Sequence, residues 1–267
     1  MVGMERPEEI VQGTQSLARA FSVLDAVADG NGDLASIGKA IGTSRSTTHR
    51  LVSFLQRTGF VRQMDGRGYV LGARLIELGA VALAQMPLTT VARPLLERLS
   101  QQTGDTIHLS VRDGDEIIYV DKISGNKGLE MRSRVGLRKP IAITGTGKAQ
   151  MLDLPEKEWG RLYSLAQMVV LSDEMPPPGF LAWEDYVSAM RAYRALGYTM
   201  EIEENEASIC CVAAPIRGAR GEIVAGLSVA STLPYMTRQR LEALAPVVRS
   251  CADDISRELG FVGRRAS

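Results

Sequence analysis

The sequence predicts an α+β protein in two parts: a winged helix-turn-helix, then a domain built on a mostly antiparallel sheet. Three observations predict it. Residues 34–74 carry seven Lys/Arg and one Asp, in a chain whose formal net charge is zero. That stretch reads as helix, tight turn, helix and Gly-containing hairpin. Beyond Pro87, short period-2 segments alternate with helical ones and are joined by turn signals.

Each element follows from spacing. Residues 1–13 are polar and read as loose. Over Gln15–Ala28 the apolar residues Leu17, Ala20, Phe21, Leu24 and Val27 fall at helical spacing, with Ser16 as the expected N-cap. A turn cluster over 29–33 leads to a short helix, Leu34–Ile41. Gly42-Thr43-Ser44 is the turn, and Arg45–Thr58 is a second helix closed by Gly59. Phe60–Gln63 and Tyr69–Leu71 flank Met64–Gly68 as two short strands. Ala73–Gln85 is helical, with Leu75, Leu78 and Ala82 in phase, and Pro87 places a boundary near 86–88. A helix over Val91–Gln102 precedes strands at Thr106–Arg112, Asp115–Ile123 and Leu129–Val135. Gly145–Leu154 reads as helix and 172–182 as loop. Trp183–Leu196 is a helix, and strands are expected at Tyr198–Glu203, Ser208–Ile216 and Glu222–Ser231. Thr237 caps a last helix. The chain is thus a loose 1–13, a winged helix-turn-helix over 14–72, a linker helix over 73–87, a second domain over 88–260 and a tail over 261–267.

Composition narrows the class. Apolar content of 45% and charged content of 23% fit an ordinary soluble protein. No apolar run approaches the roughly 18 residues of a membrane span, and the first residues lack a secretory pattern. Cys210, Cys211 and Cys251 make no disulfide framework or CxxC pair, so a reducing cytoplasm is expected and no metal or cofactor. No GxSxG, HExxH or Cys/His signature is present, so no catalytic residue is assigned.

DNA affinity rests on neutralising phosphates, and the positive charge for it is concentrated in 34–74. On the second helix Thr48, Leu51, Val52 and Leu55 form the buried stripe. The opposite face presents Arg45, Ser46, Thr47, His49, Arg50 and Ser53. Arg donates bidentately to guanine, and Ser/Thr serve base or phosphate. Ser44 caps this helix. Arg62, Gln63 and Arg67 on the hairpin suit the DNA backbone or minor groove. The bland reading, a solvated basic face, does not account for the turn spacing and basic hairpin together.

In the second domain Gly145-Thr146-Gly147-Lys148 opens a helix but lacks Walker spacing. Its amides either face an anion or serve as a glycine turn. Ser228 lies in an otherwise apolar strand, where a buried hydroxyl needs a partner. Glu201 falls on the strand face opposite Tyr198, Met200 and Ile202. Glu203, Glu204 and Glu206 read as a solvated strand end, and Cys211 as either a core thiol or a ligand contact.

Ser16-Leu17-Ala18-Arg19-Ala20, Ser44-Arg45-Ser46-Thr47-Thr48-His49-Arg50-Leu51 and Tyr69-Val70-Leu71-Gly72 resemble the IclR-type bacterial transcriptional regulators. So do Arg132-Ser133-Arg134-Val135-Gly136, Thr144 to Lys148, Glu203-Glu204-Asn205-Glu206 and Cys211-Val212-Ala213-Ala214-Pro215-Ile216. The likeness spans residues 14–260 in order. It implies a GAF-like effector-binding second domain, a homodimer or tetramer on a palindromic double-stranded DNA operator, no membrane association, and a small-molecule effector such as a carboxylic or sugar acid. It also implies pocket positions at Lys139, Gly145, Thr146, Glu201, Ile209, Cys211, Ser228 and Ala230. The segment Thr106-Ile107-His108-Leu109 is similar to the sugar-acid-sensing subgroup. Two other readings stand beside a catabolic-operon regulator: an enzyme with an accessory DNA-binding module, and a ligand-independent DNA-binding protein.

Overall fold

The computed structural model describes residues 14–85, 87–127, 131–172 and 176–262. The chain divides into two compact units, Met1–Gln85 and Met86–Ser267.

In the first unit, helices α1 (Gln15–Ala28), α2 (Leu34–Ile41) and α3 (Arg45–Arg57) precede a hairpin of β1 (Val61–Met64) and β2 (Gly68–Leu71), then α4 (Ala73–Ala84). Asp33 caps α2 in a reciprocal box with Ser36. Gly42, at φ 65°, ends α2 in the left-handed conformation that lets the chain turn within three residues into α3. Val23, Ala26, Val27, Ile37, Val52, Leu55 and Val61 form one apolar core. Position 14, not Ser16, is the N-cap of α1.

The second unit opens with α5 (Pro87–Thr103). Its sheet comprises β3 (Thr106–Asp113), β4 (Glu116–Ile123), β5 (Arg138–Pro140), β6 (Thr199–Ile202), β7 (Ile209–Arg217) and β8 (Ile223–Thr232), in the order β5-β4-β3-β8-β7-β6. Every pairing is antiparallel. The other helices are α6 (Gly145–Gln150), α7 (Glu156–Leu171), α8 (Trp183–Leu196) and α9 (Arg238–Glu258). Helices α5 and α9 pack on one face of the sheet, and α6 lies against β3, β6, β7 and β8 on the other. Beyond α6, Trp159, Leu162, Tyr163 and Ala166 of α7 join Tyr186 and Met190 of α8 and Ile117 and Tyr119 of β4 in an apolar cluster.

Three readings differ from the structure. Of the strand expected over Leu129–Val135, Leu129 and Glu130 lie outside the described residues, and 131–137 run without strand before the short β5. Backbone polar groups need partners, and here the sheet edge is taken by β5, which pairs Ile117 with Lys139. Helix α7 was not anticipated, although Trp159, Leu162, Tyr163, Ala166 and Val170 keep helical spacing and are buried. The helix expected over Gly145–Leu154 stops at Gln150 and closes as a turn.

Candidate functional site

Two regions carry the residues of interest. On α3, Arg45, Ser46, His49 and Arg50 are exposed and Thr47 half-buried, while Thr48, Val52 and Leu55 face the core. The Ser44 hydroxyl accepts from the Thr47 amide at 3.4 Å and lies 3.1 Å from the Ser46 and Thr47 hydroxyls, so the helix start is a ring of hydroxyls. Thr48 is tied to Thr43 across the turn, at 2.9 Å between hydroxyl oxygens. This fixes α3 against α2 and leaves its first two turns projecting. Arg62 and Arg67 are exposed on the hairpin.

The second region is the α6 face of the large sheet. Its residues follow from the pairing. Ser228 lies opposite His108 on one side and Ala213 on the other, and Ala213 opposite Thr199. The next row runs Thr106, Ala230, Cys211, Glu201. Side chains two residues apart share a face, so Ile209 joins them. Glu201, Ile209, Cys211, Ser228 and Ala230 therefore point to one side. Lys139 is half-buried on edge strand β5, three strands from Ser228.

Helix α6 sits hard on this face. A Cβ on Gly145 would meet Cys211 Sγ at 2.4 Å, and one on Gly226 would meet the Thr146 carbonyl oxygen at 2.3 Å. Thr144 caps the helix, its hydroxyl accepting from the Gly147 amide at 3.1 Å. The hydroxyl of Thr146 is buried without a hydrogen-bond partner.

Charges lie beneath α6. Glu204, expected in solvent, is buried together with Lys148. Lys148 Nζ donates to Glu204 Oε1 at 2.5 Å and to the Met200 carbonyl at 2.6 Å. Burial opposes the Lys148 charge, but Glu204 above all holds its pKa above the ordinary value. Glu201 Oε1 accepts from the Glu204 and Asn205 amides at 2.9 and 3.3 Å, and Oε2 takes a weak bond from Cys211 Sγ at 3.5 Å. Burial, then the charge of Glu204, pushes the Glu201 carboxyl up to about 7. Burial likewise raises the Cys211 thiol.

His108 and its surroundings were not singled out from sequence as site residues. His108 is buried, its ring tilted against that of Tyr119 with centroids 4.9 Å apart, and its Nε2 lies 2.7 Å from the Ser133 hydroxyl. Burial, helped by the Lys122 charge, brings its pKa down to about 3, so the imidazole is neutral. Ser110 accepts from Gln150 of α6 at 3.0 Å. A signal existed: Thr106, His108 and Ser110 are polar at every second position of an otherwise apolar strand.

With this geometry in place, comparison with known proteins is informative. The family description "Bacterial transcriptional regulator IclR C-terminal" matches residues 80–257, and "IclR helix-turn-helix domain" matches 16–65. The chain belongs to the IclR family. It is 31% identical over 250 residues to the HTH-type transcriptional regulator XynR of Escherichia coli K12, covering 92% of this chain and 98% of that one. The repressor AllR of the same strain is 28% identical, over 94% and 92% of the two chains. The Thermotoga maritima IclR crystal structure superposes with a TM-score of 0.75 at 30% identity, covering 93% of this chain and all of that one. An IclR homologue from Microbacterium hydrocarbonoxydans, complexed with 4-hydroxybenzoate, gives 0.75 at 25% identity, over 92% and 99% of the chains. This IclR-family chain is thus a DNA-binding transcriptional regulator with a helix-turn-helix and an effector-binding domain, and not an enzyme.

Among the described residues no group of three His, Cys, Asp or Glu could hold a metal. No helix there is long and apolar enough to cross a membrane.

Proposed function

We propose that this regulator binds a palindromic operator, as a homodimer or tetramer in the cytoplasm, and that a small organic acid on the α6 face controls that binding, in the service of a catabolic operon. Ser44, Arg45, Ser46, Thr47, His49 and Arg50 read the major groove, and Arg62 and Arg67 hold the DNA backbone. The effector lies among Gly145, Thr146, Glu201, Ile209, Cys211, Ser228 and Ala230, with Lys139 at the far edge. The observation that carries the effector assignment is the Thr146 hydroxyl, buried with no partner beside the row that bears Ser228. Leaving such a group unsatisfied costs about 1–3 kcal/mol, which a polar ligand would relieve. The complex of a relative with 4-hydroxybenzoate supports an acid.

The test begins with a thermal-shift screen of small carboxylates, since a ligand that binds only the folded state raises the melting temperature. Calorimetry of the strongest hit follows on wild type and on Ser228→Ala with Thr146→Ile. The affinity is expected to fall in the variant. A folded variant with undiminished affinity places the effector elsewhere.

A further inference from the structure

Residues 131–133 of the strap between β4 and β5 lie over the His108 end of the α6 face, and their fastening is unusual. Lys122 Nζ donates to the Met131 carbonyl at 2.8 Å and to the Ser133 carbonyl at 2.7 Å. His108 Nε2 reaches the Ser133 hydroxyl at 2.7 Å. Before these residues, Lys127 binds the buried Asp105 at 2.5 Å. A β-bulge makes the fastening possible. The β3–β4 register shifts between Leu109 and Ser110, so Lys122 lies opposite His108 and Tyr119 opposite Ser110. Tyr119 and Lys122, three residues apart, therefore share the α6 face, which an unbroken strand would forbid. Asp121 turns to the other face, where Arg93 of α5 pairs with it at 2.8 Å.

Lys122 is thus a half-buried cation on the same face as Ser228 and the neighbouring row of Cys211 and Glu201. Among the described residues it forms no ion pair, and the acceptors of its ammonium are neutral carbonyls. Charge-assisted bonds to a carboxylate are roughly twice as strong as bonds between neutral groups. Opposite it on β3 stands the neutral imidazole of His108. At the opposite end of the face, Glu201 and Glu204 outnumber Lys148. Helix α6 approaches β7 closely at Gly145 and β8 closely at Gly226. An anion is therefore favoured at the β3–β4 end and disfavoured beside Glu201.

We propose that Lys122 and His108 are the acid-recognising end of the effector site, and that the effector carboxylate takes the place of the Met131 and Ser133 carbonyls on the Lys122 ammonium. This rests on the reading of the α6 face as the effector site, and it adds a polarity: carboxylate toward Lys122, hydroxyls toward Glu201. Adjacent strands are about 4.8 Å apart, so Lys122 on β4 is about 10 Å from the strand of Ser228 and about 19 Å from that of Glu201. A small hydroxy acid held by Lys122 reaches the Ser228 strand, with its hydroxyls on the side of Glu201.

The test uses the full chain with pyruvate, gluconate, benzoate and 4-hydroxybenzoate, each beside its uncharged amide, first by thermal shift and then by calorimetry. At least one acid should stabilise the wild type while its amide does not. Lys122→Met should weaken that acid by about 10- to 100-fold and abolish the preference for acid over amide. Lys122→Arg should keep the preference. Loss of the strap fastening alone would not change acid-over-amide selectivity. If Lys122→Met does not fold, Lys122→Gln replaces it under the same criteria. Acid binding with undiminished selectivity in the substituted protein overturns the role of Lys122 and leaves the acid effector standing. A wild type stabilised by amides but not acids, or by neither, overturns both.

Discussion

Lys148 of α6 and Glu204 form a buried ion pair. Removing one member of such a pair leaves a buried charge, at a cost of about 3–5 kcal/mol. Lys148→Met should therefore lower the unfolding free energy by about that amount in urea titrations, and adding Glu204→Met should recover most of it. Equal losses in the single and double variants would show that the pair contributes nothing specific. Glu201 and His108 set opposite limits on pH. A carboxyl raised from 4.5 to about 7 by folding gives stability that is complete below pH 4.5 and lost as pH rises toward 7. An imidazole lowered from 6.5 to about 3 gives stability that is complete above pH 6.5 and lost as pH falls toward 3. The two slopes cancel between 4.5 and 6.5, where stability should crest. The difference in unfolding free energy between Glu201→Gln and wild type should change by about 3 kcal/mol between pH 4.5 and 7. A difference flat in pH would mean that Glu201 titrates normally. On α3, Arg45→Ala and Arg50→Ala should each weaken specific operator binding by about 1–3 kcal/mol at fixed salt in anisotropy titrations. Unchanged affinity in both would remove them from the reading helix.

At the scale of the element, Gly226 decides how closely α6 approaches the sheet. Its would-be Cβ meets backbone atoms of Thr146 at 2.3 to 3.0 Å, and backbone cannot rotate away. Gly226→Ala should cost about 1–3 kcal/mol, read as a lower urea midpoint, by lifting α6 off β8. A midpoint equal to wild type would mean that α6 is free to shift. The same elements show what the sequence conveys and what it hides. Helix α3 was legible because its apolar stripe, its Ser44 cap and its preceding turn all agree. The face of Glu201, opposite Met200 and Ile202, was legible from strand alternation, whereas its grouping with Cys211 and Ser228 came from the family resemblance. The bulge opposite Leu109 was not, because alternation assumes an unbroken register, and so Lys122 was missed. Glu204 was misread for a different reason. An acidic run reads as solvated unless its partner is known, and Lys148 is 56 positions away. Helix α7 carried its signal openly, in the helical spacing of Trp159, Leu162, Tyr163, Ala166 and Val170 after Pro155.

At the scale of the molecule, α4 leaves Ile76, Leu78 and Val81 exposed at 76%, 42% and 53%, whereas Leu75 is half-buried. The side chain of Ala82, also expected on this seam, lies outside the described residues. Leu78 and Val81, three residues apart, lie on one side of the helix, and exposed apolar residues so placed mark a surface that a partner covers. A second copy fits the two half-sites of the operator proposed above. Ile76→Asp with Val81→Asp should shift the light-scattering mass at micromolar concentration from oligomer to monomer. A monomeric wild type, with or without operator, would assign that surface to something else.

The seven Lys/Arg gathered in residues 34–74 leave twenty-four Lys/Arg against thirty Asp/Glu in the rest of the chain. That imbalance bounds a measurable quantity. Each neutralised phosphate releases close to one condensed counterion, so the logarithm of affinity falls against the logarithm of salt by about 0.9 per contact. Seven cations can therefore account for a slope no steeper than about −6 for each bound chain. The remainder of the protein, net acidic, adds nothing favourable. Affinity for random sequence should therefore fall with salt by no more than that slope for each bound chain, and a steeper measured slope would show that cations outside residues 34–74 contact DNA.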